Sequence, residues 1–158
     1  MQNNVLEYLE NIIGKVPDKV AYADDISGVT FQEVYDNSRA IGTFLGQQGY
    51  DSEPIVVFMG KHPSAIITFY GVIYSGSYYV PIDQEMPRHR IELIFQSLEP
   101  KAVICDNDTI GLLDSYNYKG KVYLYDDLVK TKVNNQVLDE IRDKQIDTDP
   151  IYIVFTSG

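Results

Sequence analysis

The sequence predicts an α/β fold, a mainly parallel sheet with helices on both faces. Three observations carry this. Short continuous apolar runs at Ile55–Met59, Ala102–Cys105 and Ile151–Phe155 have the pattern of strands buried on both faces. Helical periodicity separates such runs, so helix and strand alternate from Thr30 to the end. The last run leads into Thr156-Ser157-Gly158, and open α/β sheets bind ligands at the carboxyl ends of their strands.

Each element has a local reason. Asn4–Val16 reads as a helix, with Val5, Leu6, Leu9, Ile12, Ile13 and Val16 on one stripe, Asn4 as cap and Pro17-Asp18 as stop. Lys19–Ala23 and Ile26–Val29 form a hairpin around Asp24-Asp25. That acidic pair reads as a solvated turn, with a metal or phosphorylation site as the sharper alternative. Thr30-Phe31-Gln32-Glu33 is a capping box opening a second helix, whose inner face is Phe31, Val34, Tyr35, Ser38, Ile41 and Leu45 and which Gly46 and Gly49 end.

Ile55–Met59 is a buried strand. Pro63 opens a third helix to about Tyr74, apolar nearly all round and therefore buried, which Ser75-Gly76 ends. Tyr78–Ile82 is the next strand. Its Pro81 cannot donate to a ladder, which places it at an edge or at the strand's end. Pro87 starts a fourth helix with Ile91, Ile94, Phe95 and Leu98 inward; Glu99-Pro100 closes it. Then come a strand (Ala102–Cys105), a weak helix or loop (Asp108–Tyr116), a strand (Val122–Tyr125) and a polar, exposed helix (Asn134–Lys144). Asp147–Pro150 is an acidic turn before the final strand. Lys130–Asp149 should be the least ordered stretch.

At 158 residues, with 44% apolar and 23% charged residues, the chain is about one domain with a real core. A net charge of −10 argues against nucleic acid or an anionic membrane as partner, though a local donor cluster can still hold phosphate. Cys105 is the single cysteine and reads as a buried strand residue, so neither a disulfide nor a cysteine metal site is available within the chain. The start has no signal-peptide pattern and no apolar run reaches a membrane-spanning length, so a cytoplasmic protein without membrane insertion is expected.

Several chemistries fail on spacing. Gly14-Lys15, Gly60-Lys61 and Gly120-Lys121 lack both the earlier glycine and the following hydroxyl of a Walker loop. His62 and His89 have no partner at metal-ligand spacing and read as surface or helix-start residues. Tyr70, Tyr74, Tyr78 and Tyr79 read as packing rather than as an aromatic binding surface.

Three stretches together resemble the adenylate-forming superfamily, specifically its amino-acid-activating branch. Val29–Val34 is similar to the family's first core motif. Gly71–Asp83, followed by Pro87 and Arg90, is similar to the second. Tyr152–Gly158 resembles the opening of the Ser/Thr/Gly-rich, lysine-containing phosphate loop. Within the family the likeness is to D-alanine–carrier-protein ligases and to the adenylation domains of nonribosomal peptide synthetases.

The resemblance implies that residues 1–158 are the N-terminal subdomain, a fragment, of an AMP-forming ligase. Such a ligase activates an amino acid, D-alanine among the candidates, as an acyl-adenylate and passes it to the phosphopantetheine thiol of a carrier protein. It implies ATP and Mg²⁺ for the parent. It carries over only Thr156, Ser157 and Gly158 as site residues, at the start of the ATP phosphate loop. No catalytic or metal-binding residue is implied within the fragment, which alone should be inactive. The second motif reads as scaffold. The alternative is a stand-alone α/β module that binds a ligand without catalysis.

Overall fold

A computed structural model describes residues 5–24 and 27–145. Ile151–Phe155, Asp147–Pro150 and the proposed cap Asn4 lie outside the described residues. Helix α1 (Val5–Ile13) buries Leu6 and Leu9. It is shorter than its apolar stripe suggests: a turn forms at Gly14-Lys15, and Val16 falls beyond the helix, exposed. Strands β1 (Val20–Ala23) and β2 (Gly28–Thr30) pair antiparallel as the expected hairpin.

Helix α2 (Phe31–Gln47) starts on the capping box. Glu33 N–H donates to Thr30 Oγ1 at 3.1 Å, and Thr30 N–H donates to Glu33 Oε1 at 3.2 Å. Of the two glycines expected to end it, only Gly49 does so, at φ +88°. Gly46 is inside the helix, where an added Cβ would lie 2.7 Å from Ile141 Cδ1.

The main sheet is parallel, in the order β4-β3-β5-β6 among the described strands: β3 (Pro54–Phe58), β4 (Tyr78–Ile82), β5 (Ala102–Cys105) and β6 (Lys121–Leu124). Among the described strands β4 lies at the edge, where the missing donor of Pro81 is tolerated.

Side chains alternate across the sheet. Ile55 and Val57 face one layer, built from α1, α2 and α3 (Pro63–Tyr74). Val56 and Phe58 face the other, with Ile91, Ile94 and Phe95 of α4 (Arg88–Leu98) and Leu113 of a 3₁₀ helix, Ile110–Tyr116. The α/β architecture with helices on both faces is therefore present.

Helix α3 is buried between sheet and α2, as its unbroken apolarity requires. A Cβ at Gly71 would fall 2.6 Å from Ile41 Cβ, and one at Gly42 would fall 2.5 Å from Tyr74 Cβ. The two helices approach closely because both positions are glycine.

Two features after β6 differ from expectation. Tyr125 begins a short helix, α5 (Tyr125–Leu128), rather than ending the strand. The polar helix expected at Asn134–Lys144 forms, as α6 (Asn135–Lys144), capped by Asn134 accepting from Val137 N–H at 3.1 Å, and it differs only in its packing. Its face packs on α2 through Leu138, Val137 and Ile141, so it is not simply an exposed helix. Apolar residues at three- and four-residue spacing within a polar sequence give it a docking stripe.

Substituting Gly71→Ala should therefore destabilise the chain by about 1–3 kcal/mol, as overpacking does. Gly111→Ala, whose new methyl would meet no other part of the chain within 4 Å beyond its own immediate neighbours, should change stability by less than about 0.5 kcal/mol. Thr30→Ala should cost about 1 kcal/mol through the lost cap. Urea unfolding of the three variants checks the order.

Candidate functional site

All four parallel strands end at one edge of the sheet, so the loops that follow them share a surface. Neighbouring strands whose onward helices go to opposite faces leave a crevice there. After β3 the chain enters α3 on one face; after β4 it enters α4, and after β5 the 3₁₀ helix, both on the other. Crevices are therefore expected on both sides of β3.

The β3–β5 crevice is filled by the protein itself. Asp106 Oδ1 accepts from the N–H groups of Asp108 and Thr109, each at 2.9 Å, and Oδ2 accepts from Gly60 N–H at 3.2 Å. Thr109 Oγ1 donates to Phe58 O at 2.6 Å and accepts from Asp106 N–H at 3.1 Å. Backbone N–H groups converging in this way make an anion site. Here the anion is an aspartate carboxylate, so the crevice is structural.

The β3–β4 crevice is open. It forms a cleft of about 410 Å³ with apolar walls of Met59, Ala65, Ile66, Phe69 and Pro81. Two ion pairs rim it. Lys61 Nζ lies 3.3 Å from Asp83 Oδ2, and His62 Nδ1 lies 2.8 Å from Asp24 Oδ2. Each carboxylate is also anchored by backbone: Ser27 N–H donates to Asp24 Oδ1 at 2.7 Å, and Glu85 N–H donates to Asp83 Oδ1 at 3.0 Å. The short link between β3 and α3 places the backbone of Lys61 and His62 at this rim, His62 being the N-cap residue before Pro63.

The sequence-predicted site residues Thr156, Ser157 and Gly158 lie outside the described residues. Among the described residues no group of three His, Cys, Asp or Glu could hold a metal ion. The one convergent set of backbone donors described above already holds Asp106, so ATP phosphates find no cradle in it. Cys105 is buried as expected, and burial pushes its thiol up to about 12, far from a reactive thiolate.

The second motif folds as the end of α3, a glycine turn at Gly76 (φ +80°) and strand β4, and its Pro81 and Asp83 also line the cleft. Asp24 and His62 were visible only as a turn residue and a helix-start residue. They are 38 positions apart and meet because Asp24, just after β1, lies against His62 at the start of α3. No described helix is long and apolar enough to cross a membrane.

The Asp24 hydrogen bond raises the pKa of His62 above 6.5. The pair's contribution to stability is then full below the unfolded value, near 6.5, and is lost as pH rises through the higher folded value. An NMR titration should place His62 above 6.5 and return it toward that value in Asp24→Asn. Identical titrations in both proteins would contradict the pairing.

Comparison with known proteins adds a family to this geometry. The sequence profile described as AMP-binding enzyme matches residues 9–158. A D-alanine–D-alanyl carrier protein ligase of Listeria monocytogenes serotype 4a (strain HCC23) is 31% identical over 163 aligned residues, covering 100% of this chain and 31% of that protein. Tyrocidine synthase 1 of Brevibacillus parabrevis is 29% identical over 143 residues, covering 90% of this chain and 13% of the relative. The chain thus spans about a third or less of these curated relatives.

Among solved structures, a nonribosomal peptide synthetase, FmoA3, in its alpha-methyl-L-serine-AMP bound form superposes with a TM-score of 0.80 at 22% identity, covering 96% of this chain and 17% of that one. The Klebsiella oxytoca NpsA N-terminal subdomain in complex with 3-hydroxybenzoyl-AMSN gives 0.73 at 20%, covering 98% and 38%. At these identities the structures speak for the fold alone. The profile match across nearly the whole chain makes this protein a member of the AMP-binding enzyme family.

Proposed function

We propose that this chain is the N-terminal subdomain of an ATP-dependent, AMP-forming ligase that activates an amino acid and transfers it to the phosphopantetheine thiol of a carrier protein. The observation that carries the reading is the alignment of the complete chain with a D-alanine–D-alanyl carrier protein ligase at 31% identity. D-alanine is accordingly the first substrate to test.

In the proposed reaction a carboxylate oxygen attacks the α-phosphorus of ATP. The new acyl–oxygen–phosphorus link forms as the bond to pyrophosphate breaks. The carrier thiolate then attacks the acyl carbon, a thioester forms, and AMP leaves. Mg²⁺ would offset phosphate charge, and preorganised donors would stabilise the charge developing on the α-phosphate. Thr156, Ser157 and Gly158 are proposed as the first of these donors, at the phosphate loop.

The described residues have a different task in this reading, which is to hold a rigid parallel sheet. Asp106 ties the ends of β3 and β5 together, and α3 fixes the β3–β4 spacing. A site placed on strand ends keeps its geometry when the sheet beneath it cannot flex.

The full-length parent should catalyse ATP–pyrophosphate exchange dependent on one amino acid in a panel that includes D-alanine. Exchange with no amino acid would contradict the reading. The 158-residue chain alone should form no acyl-adenylate, because the relatives devote roughly three times this length to the reaction. Adenylate formation by the chain alone would show the fragment reading wrong.

A further inference from the structure

The β3–β4 cleft has chemistry that the ligase reading leaves unused. Its walls are apolar, with Ile66 and Phe69 of α3 facing Pro81 of β4 and the Tyr22 ring of the hairpin alongside. Its volume, about 410 Å³, is in the range of small-molecule sites.

The rim is unsymmetrical in a way that sets the sign of a ligand. Asp24 and Asp83 are the fixed groups, with side chains only 20% and 22% exposed and one oxygen of each held by a backbone N–H. Their cationic partners are the loose groups, with Lys61 80% and His62 43% exposed. An ion pair as open as Lys61–Asp83 contributes little and is easily exchanged. Aromatic rings beside the cleft also favour a cation over an anion, and the chain carries a formal net charge of −10.

We propose that this cleft binds a small amphipathic organic cation of the arylalkyl ammonium class. The apolar body lies between Ile66, Phe69 and Pro81, and the ammonium replaces Lys61 on the Asp83 carboxylate. The proposal does not rest on the ligase reading, and its test contains no ATP, so the two can fail separately.

The test is an NMR titration of the 158-residue chain with 2-phenylethylammonium, with 3-phenylpropionate as the oppositely charged control. The ammonium should give saturable shifts at the amides of Ile66, Phe69 and Asp83, and the carboxylate should not. Asp83→Asn should weaken binding by about three- to fivefold, the size expected for an ion pair at a partly exposed carboxylate. Lys61→Ala, a change at an exposed side chain, should tighten it by removing the competing cation. Absence of saturable shifts with the ammonium, equal binding of the carboxylate, or Lys61→Ala leaving the affinity unchanged or weaker would each overturn the proposal.

Discussion

The close contact between α2 and α3 is the constraint on which the other parts depend. Helix α3 is apolar on nearly every side, so it must be covered by the sheet on one side and by another helix on the other. Gly42 and Gly71 allow that cover, since a methyl at either would overlap Tyr74 or Ile41 at 2.5 or 2.6 Å. With α3 held there, β3 and β4 pair in register from Pro54–Tyr78 to Phe58–Ile82, and the loop after β3 brings Lys61 and His62 to the cleft rim. The position of the site thus follows from helix packing well away from it.

Polar groups then fix what packing leaves open. Glu10 Oε2 accepts from the Tyr74 hydroxyl and from Arg142, both at 2.9 Å, joining α1, α3 and α6 through one carboxylate. Burial and the Glu10 charge push the Tyr74 hydroxyl upward, so it stays a neutral donor at ordinary pH. Tyr50 and Tyr123 do similar work between the loop after α2 and strand β6, with their hydroxyls 3.0 Å apart. Of the tyrosines read from sequence as packing residues, Tyr74 is in the core with its polar end satisfied, and Tyr70 and Tyr79 pack against the same cluster. At the opposite edge, the Asp106 carboxylate closes one crevice and so leaves the β3–β4 cleft as the open one.

The sequence revealed features whose cause is local. The capping box at Thr30, the limit that Pro81 sets on the pairing of β4, and the burial of α3 each depend on a few adjacent residues. Features decided by distant partners were harder to see. Gly46 looks like a helix terminator, but Ile141, 95 positions away, makes it a packing glycine. Val16 continues an apolar stripe, yet the turn at Gly14-Lys15 ends the helix first. Helix α5, four residues long, is too short for periodicity to register. The His62–Asp24 pair leaves no trace in local spacing. The family was legible because its motifs are contiguous; the phosphate-loop residues 156–158 remain an expectation that the described residues do not reach.

The central claim is that this sheet is the opening part of a longer adenylating enzyme. Reading the coding sequence downstream of Gly158 tests it most directly. The account predicts that the frame continues through a Ser/Thr/Gly-rich stretch containing lysine and on into a further domain that supplies a catalytic lysine. A stop codon immediately after Gly158 would contradict it and leave an α/β binding module as the better description.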